Sequence, residues 1–74
     1  MAEPAIHTVF ASGAWETKRA GDDTVLSRHD TKADAVAAGR DEARRVKTEH
    51  IIHDQEGVIR ERHSYGNDPA DRPG

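Results

Sequence analysis

Thr31-Lys32-Ala33-Asp34-Ala35-Val36-Ala37-Ala38-Gly39-Arg40-Asp41-Glu42-Ala43-Arg44-Arg45-Val46-Lys47 is the stretch on which the fold turns. At about 100° per residue, Ala35, Val46, Gly39, Ala43 and Val36 fall within one arc of about 100°, the width of a core-facing stripe. Asp30 or Thr31 can cap the N-terminus, and Asp34, three residues beyond Thr31, completes a capping-box-like pair. Arg44, Arg45 and Lys47 place positive charge near the C-terminus, where the macrodipole is negative, and Asp41 precedes Arg45 at the favourable i, i+4 spacing. The pattern predicts one amphipathic helix over residues 31–47. Its stripe is built from small side chains, and Gly39 at the centre costs about 1 kcal/mol of helix propensity against alanine. A close approach between helix and sheet would offset that cost.

On the N-terminal side the hydrophobic period is two rather than 3.6. Ile6 to Phe10, Trp15 to Arg19 and Val25 to His29 are short runs with β-branched or aromatic residues, separated by Ala-Ser-Gly and Ala-Gly-Asp-Asp turn clusters. They read as an antiparallel three-stranded meander. On the C-terminal side, Glu49 to His53 and Val58 to Arg62 flank Asp54-Gln55-Glu56-Gly57, which has the Asp-first, Gly-last chemistry of a type I hairpin connection. The expected fold is a two-layer α+β domain of order βββαββ: a three-stranded antiparallel meander, one amphipathic helix and a C-terminal β-hairpin. Residues 1–66 form the domain. Residues 67–74 read as a flexible, disordered C-terminal end, because the chain there is rich in Pro, Gly and Asp. There is no internal repeat, coiled-coil heptad or low-complexity block.

Seventy-four residues suit one domain with a thin core, since only about 60% of the surface of so short a chain can be buried. The chain has one Phe, one Trp and one Tyr, so its apolar positions are mostly Ala, Val and Ile. Trp15 is read as a core anchor rather than an exposed stacking platform. A net charge of −3, with 14 acidic residues interleaved among 11 basic ones, excludes a general polycationic character. Cysteine is absent, which removes disulfides, thiolate catalysis and cysteine zinc sites. No run approaches the roughly 20 apolar residues that span a bilayer, and Met-Ala-Glu-Pro-Ala lacks the features of a secretory signal. A mature protein equal to the whole chain, a cytoplasmic address and no membrane association are expected.

Val9-Phe10, Val25-Leu26, Ile51-Ile52 and Val58-Ile59 are adjacent apolar pairs in predicted strands, where neighbours point to opposite faces. The sheet should therefore be apolar on both sides, while one helix can cover only one. A second copy, giving a two-fold homodimer, is the expected cover, with Val9, Leu26, Ile52, Ile59 and Tyr65 as oligomer or partner contacts. An unidentified protein partner is the other candidate for the same surface. Tyr65 to Pro69 reads either as a strand-ending turn whose tyrosine packs on the sheet or as a docking segment.

The chemistry of sites is sparse. His7, His29, His50, His53 and His63 invite a metal reading, but His50 and His53 at i, i+3 diverge in a strand and no cysteine accompanies them. No metal or cofactor is expected. Ser12, Ser27 and Ser64 sit in no Gly-x-Ser-x-Gly elbow, no glycine-rich phosphate loop is present, and Asp22-Asp23 occupies a turn, so no catalytic residue is assigned and no enzyme is expected. Arg60 and Arg62 should share one face of the last strand and pair with Glu49 or another acid. Arg40, Arg44 and Lys47 cluster within about 60° on the helix and are the candidate contacts for weak nucleic-acid binding.

Trp15 in a strand, Thr31-Lys32-Ala33-Asp34-Ala35 opening an Ala/Arg-rich helix, Ile51-Ile52-His53, and the run from Gly57 through Ser64-Tyr65-Gly66-Asn67-Asp68-Pro69 together resemble the small, mainly prokaryotic domain-of-unknown-function family 2188. The likeness extends from His7 to Pro69. It implies a compact sheet-plus-helix domain of stand-alone size and carries no reaction, cofactor or catalytic residue. The function expected is a small non-enzymatic protein-interaction module that self-associates, with weak nucleic-acid binding through the helix flank as the alternative.

Overall fold

The computed structural model, which describes residues 4–21 and 24–66, orders the chain as β1 (Ile6–Ala11), β2 (Ala14–Arg19), β3 (Thr24–His29), α1 (Lys32–Val46), β4 (Glu49–His53) and β5 (Ile59–Ser64). The expected flexible end, residues 67–74, and the Asp22-Asp23 turn lie outside the described residues. At the start of α1, Thr31 Oγ1 accepts a hydrogen bond from the Asp34 backbone N–H at 3.2 Å, satisfying one of the donors that a helix N-terminus leaves open. At its end, Lys47 adopts the left-handed conformation (φ 61°), and the backbone N–H groups of Lys47 and Thr48 both donate to the Ala43 carbonyl. Arg45 forks onto Glu42, and that ion pair holds the Glu42 carboxyl below its ordinary pKa.

Ala11-Ser12-Gly13-Ala14 joins β1 to β2 with Ser12 at φ 53° and Gly13 at φ 80°, the two left-handed residues that a tight hairpin with the native strand twist requires. β3 then pairs antiparallel with β2, and the meander is complete. The fifteen residues of α1 span about 22 Å, matching the length of a six-residue strand. The chain therefore returns to the end of the sheet from which β3 started. β4 thus runs in the direction of β3, which is also that of β1, and pairs parallel with β1. The sheet is consequently mixed, in the order β3-β2-β1-β4-β5, where a wholly local reading gives only antiparallel pairs. β5 closes the C-terminal hairpin, where Asp54 Oδ1 accepts from the N–H groups of Glu56 and Val58; these bonds and Arg60 hold the Asp54 carboxyl below its usual range.

Register separates the two faces. Ile6, Thr8 and Phe10 stand opposite Arg19, Thr17 and Trp15 on one side of β1, while Ile6 and Thr8 stand opposite His50 and Ile52 on the other. These residues form the floor beneath α1, which packs across β1, β2, β3 and β4 but does not reach β5. The helix contributes Ala35, Gly39 and Ala43 as its buried residues, with Val36 and Val46 half-buried at the margins of the stripe. Trp15 is buried, meets Phe10 edge to face at 5.2 Å, and carries Lys32 Nζ 5.6 Å from its ring centre.

The floor is more polar than the apolar pattern suggests. Thr8, Thr17 and His50 are each no more than 1% exposed. Thr8 Oγ1 and His50 Nε2 share a hydrogen bond of 2.7 Å, and Thr17 Oγ1 and Ser27 Oγ share one of 2.6 Å, so the groups taken from water are paired. A Cβ on Gly39 would lie 2.6 Å from His50 Nε2 and 2.7 Å from Thr8 Oγ1. The missing side chain at the centre of the stripe is what allows α1 to rest on this pair.

Candidate functional site

The sheet face turned away from α1 is built by the alternate residues of the same strands. His7 and Val9 of β1 lie opposite Lys18 and Glu16 of β2, which lie opposite Val25 and Arg28 of β3. On the other side His7 stands beside Ile51 of β4, and Ile51 and His53 stand opposite Arg62 and Ile59 of β5. Val25 and Ile59 are 49% and 47% exposed, large values for apolar residues in strands. Glu16 is largely buried and receives Arg28 Nη1 at 3.0 Å, while Arg28 itself remains exposed.

A histidine pair occupies the middle of this face. His7 Nδ1 and His53 Nε2 lie 2.8 Å apart. The ring planes meet at 28° with centroids 5.1 Å apart, so the imidazoles sit nearly coplanar and edge to edge, with the two nitrogens facing one another. His53 Nδ1 donates to the Gly57 carbonyl oxygen at 3.2 Å, which leaves Nε2 as an acceptor for the His7 Nδ1–H. The rings thus aim their nitrogens at each other rather than at a common point, the arrangement of an N–H···N bond and not of two metal ligands. Among the described residues no three His, Cys, Asp or Glu side chains converge on a metal-sized centre. A shallow cleft of about 250 Å³ opens beside the pair, lined by His7, Val9, Lys18, Ala20, Gly21 and His53.

The remaining histidines are separate. His50 is buried under α1, and burial, with smaller contributions from His63 and Arg40, pushes its pKa down to about 4. His63 stands opposite His50 on β5 and pairs with Glu61 at 2.9 Å, while His29 Nε2 meets Ser27 Oγ at 2.9 Å on β3.

Of the expected contact residues, Val9 and Ile59 lie on the open face, and Tyr65 is half-buried just beyond β5 with its N–H donating to the Thr48 carbonyl. Leu26 is the extra residue of a bulge, because Thr17 stands opposite Ser27 and Lys18 opposite Val25; strand alternation does not fix its side. Ile52 is a correction: it is 3% exposed, in the floor beneath α1, and unavailable to a partner. A second bulge corrects the arginines. Ile52 faces Glu61 and His53 faces Ile59, so Arg60 is the extra residue and Arg62 shares a face with Ile59 instead. Arg60 pairs with Asp54 in the turn at 2.9 Å, and Glu49 stands opposite Ser64. Arg40, Arg44 and Lys47 are all exposed on α1 and its cap.

The His7–His53 contact is the feature that sequence reading missed. It depends on β1 pairing with β4 across 46 positions of chain, for which spacing gives no signal.

The architecture defines a small α+β domain: one helix on a five-stranded mixed sheet, with no second helix on the other face among the described residues. The chain belongs to the family described as "Uncharacterized protein conserved in bacteria (DUF2188)", which matches residues 6–65, from the first residue of β1 to just past β5. No curated protein and no solved structure matches it. No helix among the described residues is long and apolar enough to cross a membrane.

Proposed function

We propose that this chain is a non-enzymatic protein-interaction module of the cytoplasm that pairs with a second copy of itself through the open sheet face. One observation carries the reading: α1 covers one side of the sheet, and the other side presents Val9, Val25 and Ile59 around the His7–His53 pair. Stacking two such faces removes the exposed apolar area of both and supplements a thin core. The charges favour a copy of the same surface as the occupant. Glu16 and Glu49 lie on this face with Lys18, Arg28 and Arg62, so a two-fold axis can set opposite signs against each other, whereas a face of one sign would repel its copy. Light scattering at high micromolar concentration should give twice the chain mass, and Val9→Asp with Ile59→Asp should return it to the mass of one chain while far-ultraviolet circular dichroism stays unchanged. A wild-type mass that stays monomeric defeats the proposal.

Weak nucleic-acid binding by Arg40, Arg44 and Lys47 is the second reading, supported by their exposure on one flank of α1. Charge reversal at the three positions separates the two. It abolishes a salt-dependent mobility shift under the second reading and leaves the dimer mass intact under the first.

A further inference from the structure

The outer side of β5 is a sheet edge, and the register shows which of its peptide groups are spare. Every residue of β5 is exposed, α1 packs on β1 to β4 but not on β5, and among the described residues no strand lies beyond it. Tyr65 N–H donates to the Thr48 carbonyl, while Ser64, His63, Arg62 and Glu61 stand opposite Glu49, His50, Ile51 and Ile52. Successive residues of a strand turn their backbone groups to opposite sides. Those of Tyr65, His63 and Glu61 therefore point to β4, and those of Arg62 and Ser64 point outward.

Charge decides what can use them. Charged side chains keep unrelated strands off an edge, and β5 carries Arg60, Glu61 and Arg62 in succession. A copy of β5 running antiparallel about a two-fold axis is a special case, because the axis fixes which residues meet. Centred on Glu61 or on Arg62, the axis sets that charge against itself. Centred on His63, it sets Arg62 opposite Ser64 of the second copy, so the outward N–H and C=O groups of each strand meet those of the other. On the face shared with Ile51, Arg62 then extends over the small Ser64 towards Glu49 of the second copy, two strand spacings or about 10 Å away. Neither Arg62 nor Glu49 has an ion pair among the described residues. On the helix side of the sheet, His63 meets its counterpart with a Glu61 on either side. The other edge, β3, lacks this fit, because its bulge at Leu26 interrupts the row.

We propose that β5 is a second self-association surface: two copies pair β5 to β5, antiparallel about an axis between their His63 side chains, into one continuous sheet. This goes beyond the stacking of open faces and uses a different surface. Both helices then lie on one side of the joined sheet and stay apart, since neither reaches β5. The contact is confined to residues 61–65 and is mostly polar, so it is the weaker of the two and forms in the millimolar range.

The chain has no cysteine, so His63→Cys introduces a single thiol at the axis. Residues facing each other there form a non-hydrogen-bonded pair with Cα atoms about 4.5 Å apart, within reach of a disulfide. At millimolar concentration with oxidised glutathione, this variant should become a disulfide-linked dimer at least about tenfold faster than Gln55→Cys, in the exposed hairpin turn. Face stacking cannot give that product, because position 63 lies on the helix side of the sheet. Within the His63→Cys chain, Arg62→Glu and Glu49→Arg should each slow the linkage, and the two together should restore it. Ser64→Pro, which removes an outward N–H and leaves the pairing with β4 intact, should abolish it. Circular dichroism confirms that each variant is folded. Equal rates at positions 63 and 55 overturn the proposal, as does a folded double charge reversal that stays slow. Adding Val9→Asp and Ile59→Asp should leave the linkage unchanged, so the failure of face stacking and the failure of edge pairing are read separately.

Discussion

Gly39→Ala should destabilise the protein by about 2 kcal/mol, although alanine is the better helix former. The two effects have opposite signs, and their sizes decide the outcome. Propensity favours alanine by up to about 1 kcal/mol in a helix interior. Against this, the new Cβ would stand 2.6 Å from His50 Nε2 and 2.7 Å from Thr8 Oγ1. Neither atom has room to withdraw: Thr8 is fully buried, His50 is 1% exposed, and the two are hydrogen-bonded to each other. Relieving the overlap means lifting the helix or parting a buried pair, at about 1–3 kcal/mol each. Gly39→Leu should cost more. Urea unfolding checks the sign, and a Gly39→Ala variant at least as stable as wild type would show that the helix does not rest on this pair. In a His50→Ala background the same substitution should lose part of its cost, because one of the two atoms it strikes is gone and Thr8 Oγ1 no longer has its hydrogen-bonded partner holding it in place.

Acid should weaken the fold through His50 before it touches the carboxylates. An unfolded chain takes up a proton on this side chain near its ordinary value of 6.5, while burial in the folded chain holds it neutral down to about 4. Between those values the unfolded state binds more protons. The contribution is therefore whole above about pH 6.5, is lost as pH falls towards 4, and amounts to something on the order of 3 kcal/mol. The lowered pKa values of Glu42 and Asp54 act in a more acidic range, so the two effects separate along the pH axis. Urea unfolding of the dilute, monomeric chain at about pH 7 and about pH 4.5 should show most of this loss, and His50→Gln should flatten it. Equal stability at both values would mean that His50 is protonated in the folded chain.

These two effects meet at a contact that the sequence only half discloses. The helix, its Thr31 cap and the small stripe around Gly39 are legible because they depend on residues within a few positions of one another. The reason for the stripe is not, since His50 arrives from β4 and Thr8 from β1, 42 positions apart. Alternation in Ile6-His7-Thr8-Val9 marks two faces but does not say which the helix takes. The adjacent apolar pairs likewise mix signal with local irregularity. Val9-Phe10 and Ile51-Ile52 divide between the faces as strand geometry requires, whereas Leu26 falls in a bulge and Val58 in the turn before β5. Bulges are set by twist and by the fit between neighbouring strands, so neither Leu26 nor Arg60 announces one.

The central claim is that the face left open by α1 is where a second copy packs. Isotope-filtered nuclear Overhauser spectroscopy on an equal mixture of labelled and unlabelled chains, at high micromolar concentration and about pH 8, observes that surface directly. Intermolecular cross-peaks should arise from the methyl groups of Val9, Val25 and Ile59, and none from the exposed flank of α1 that carries Arg40 and Arg44. Cross-peaks confined to the helix flank, or no intermolecular cross-peaks at all, would contradict it.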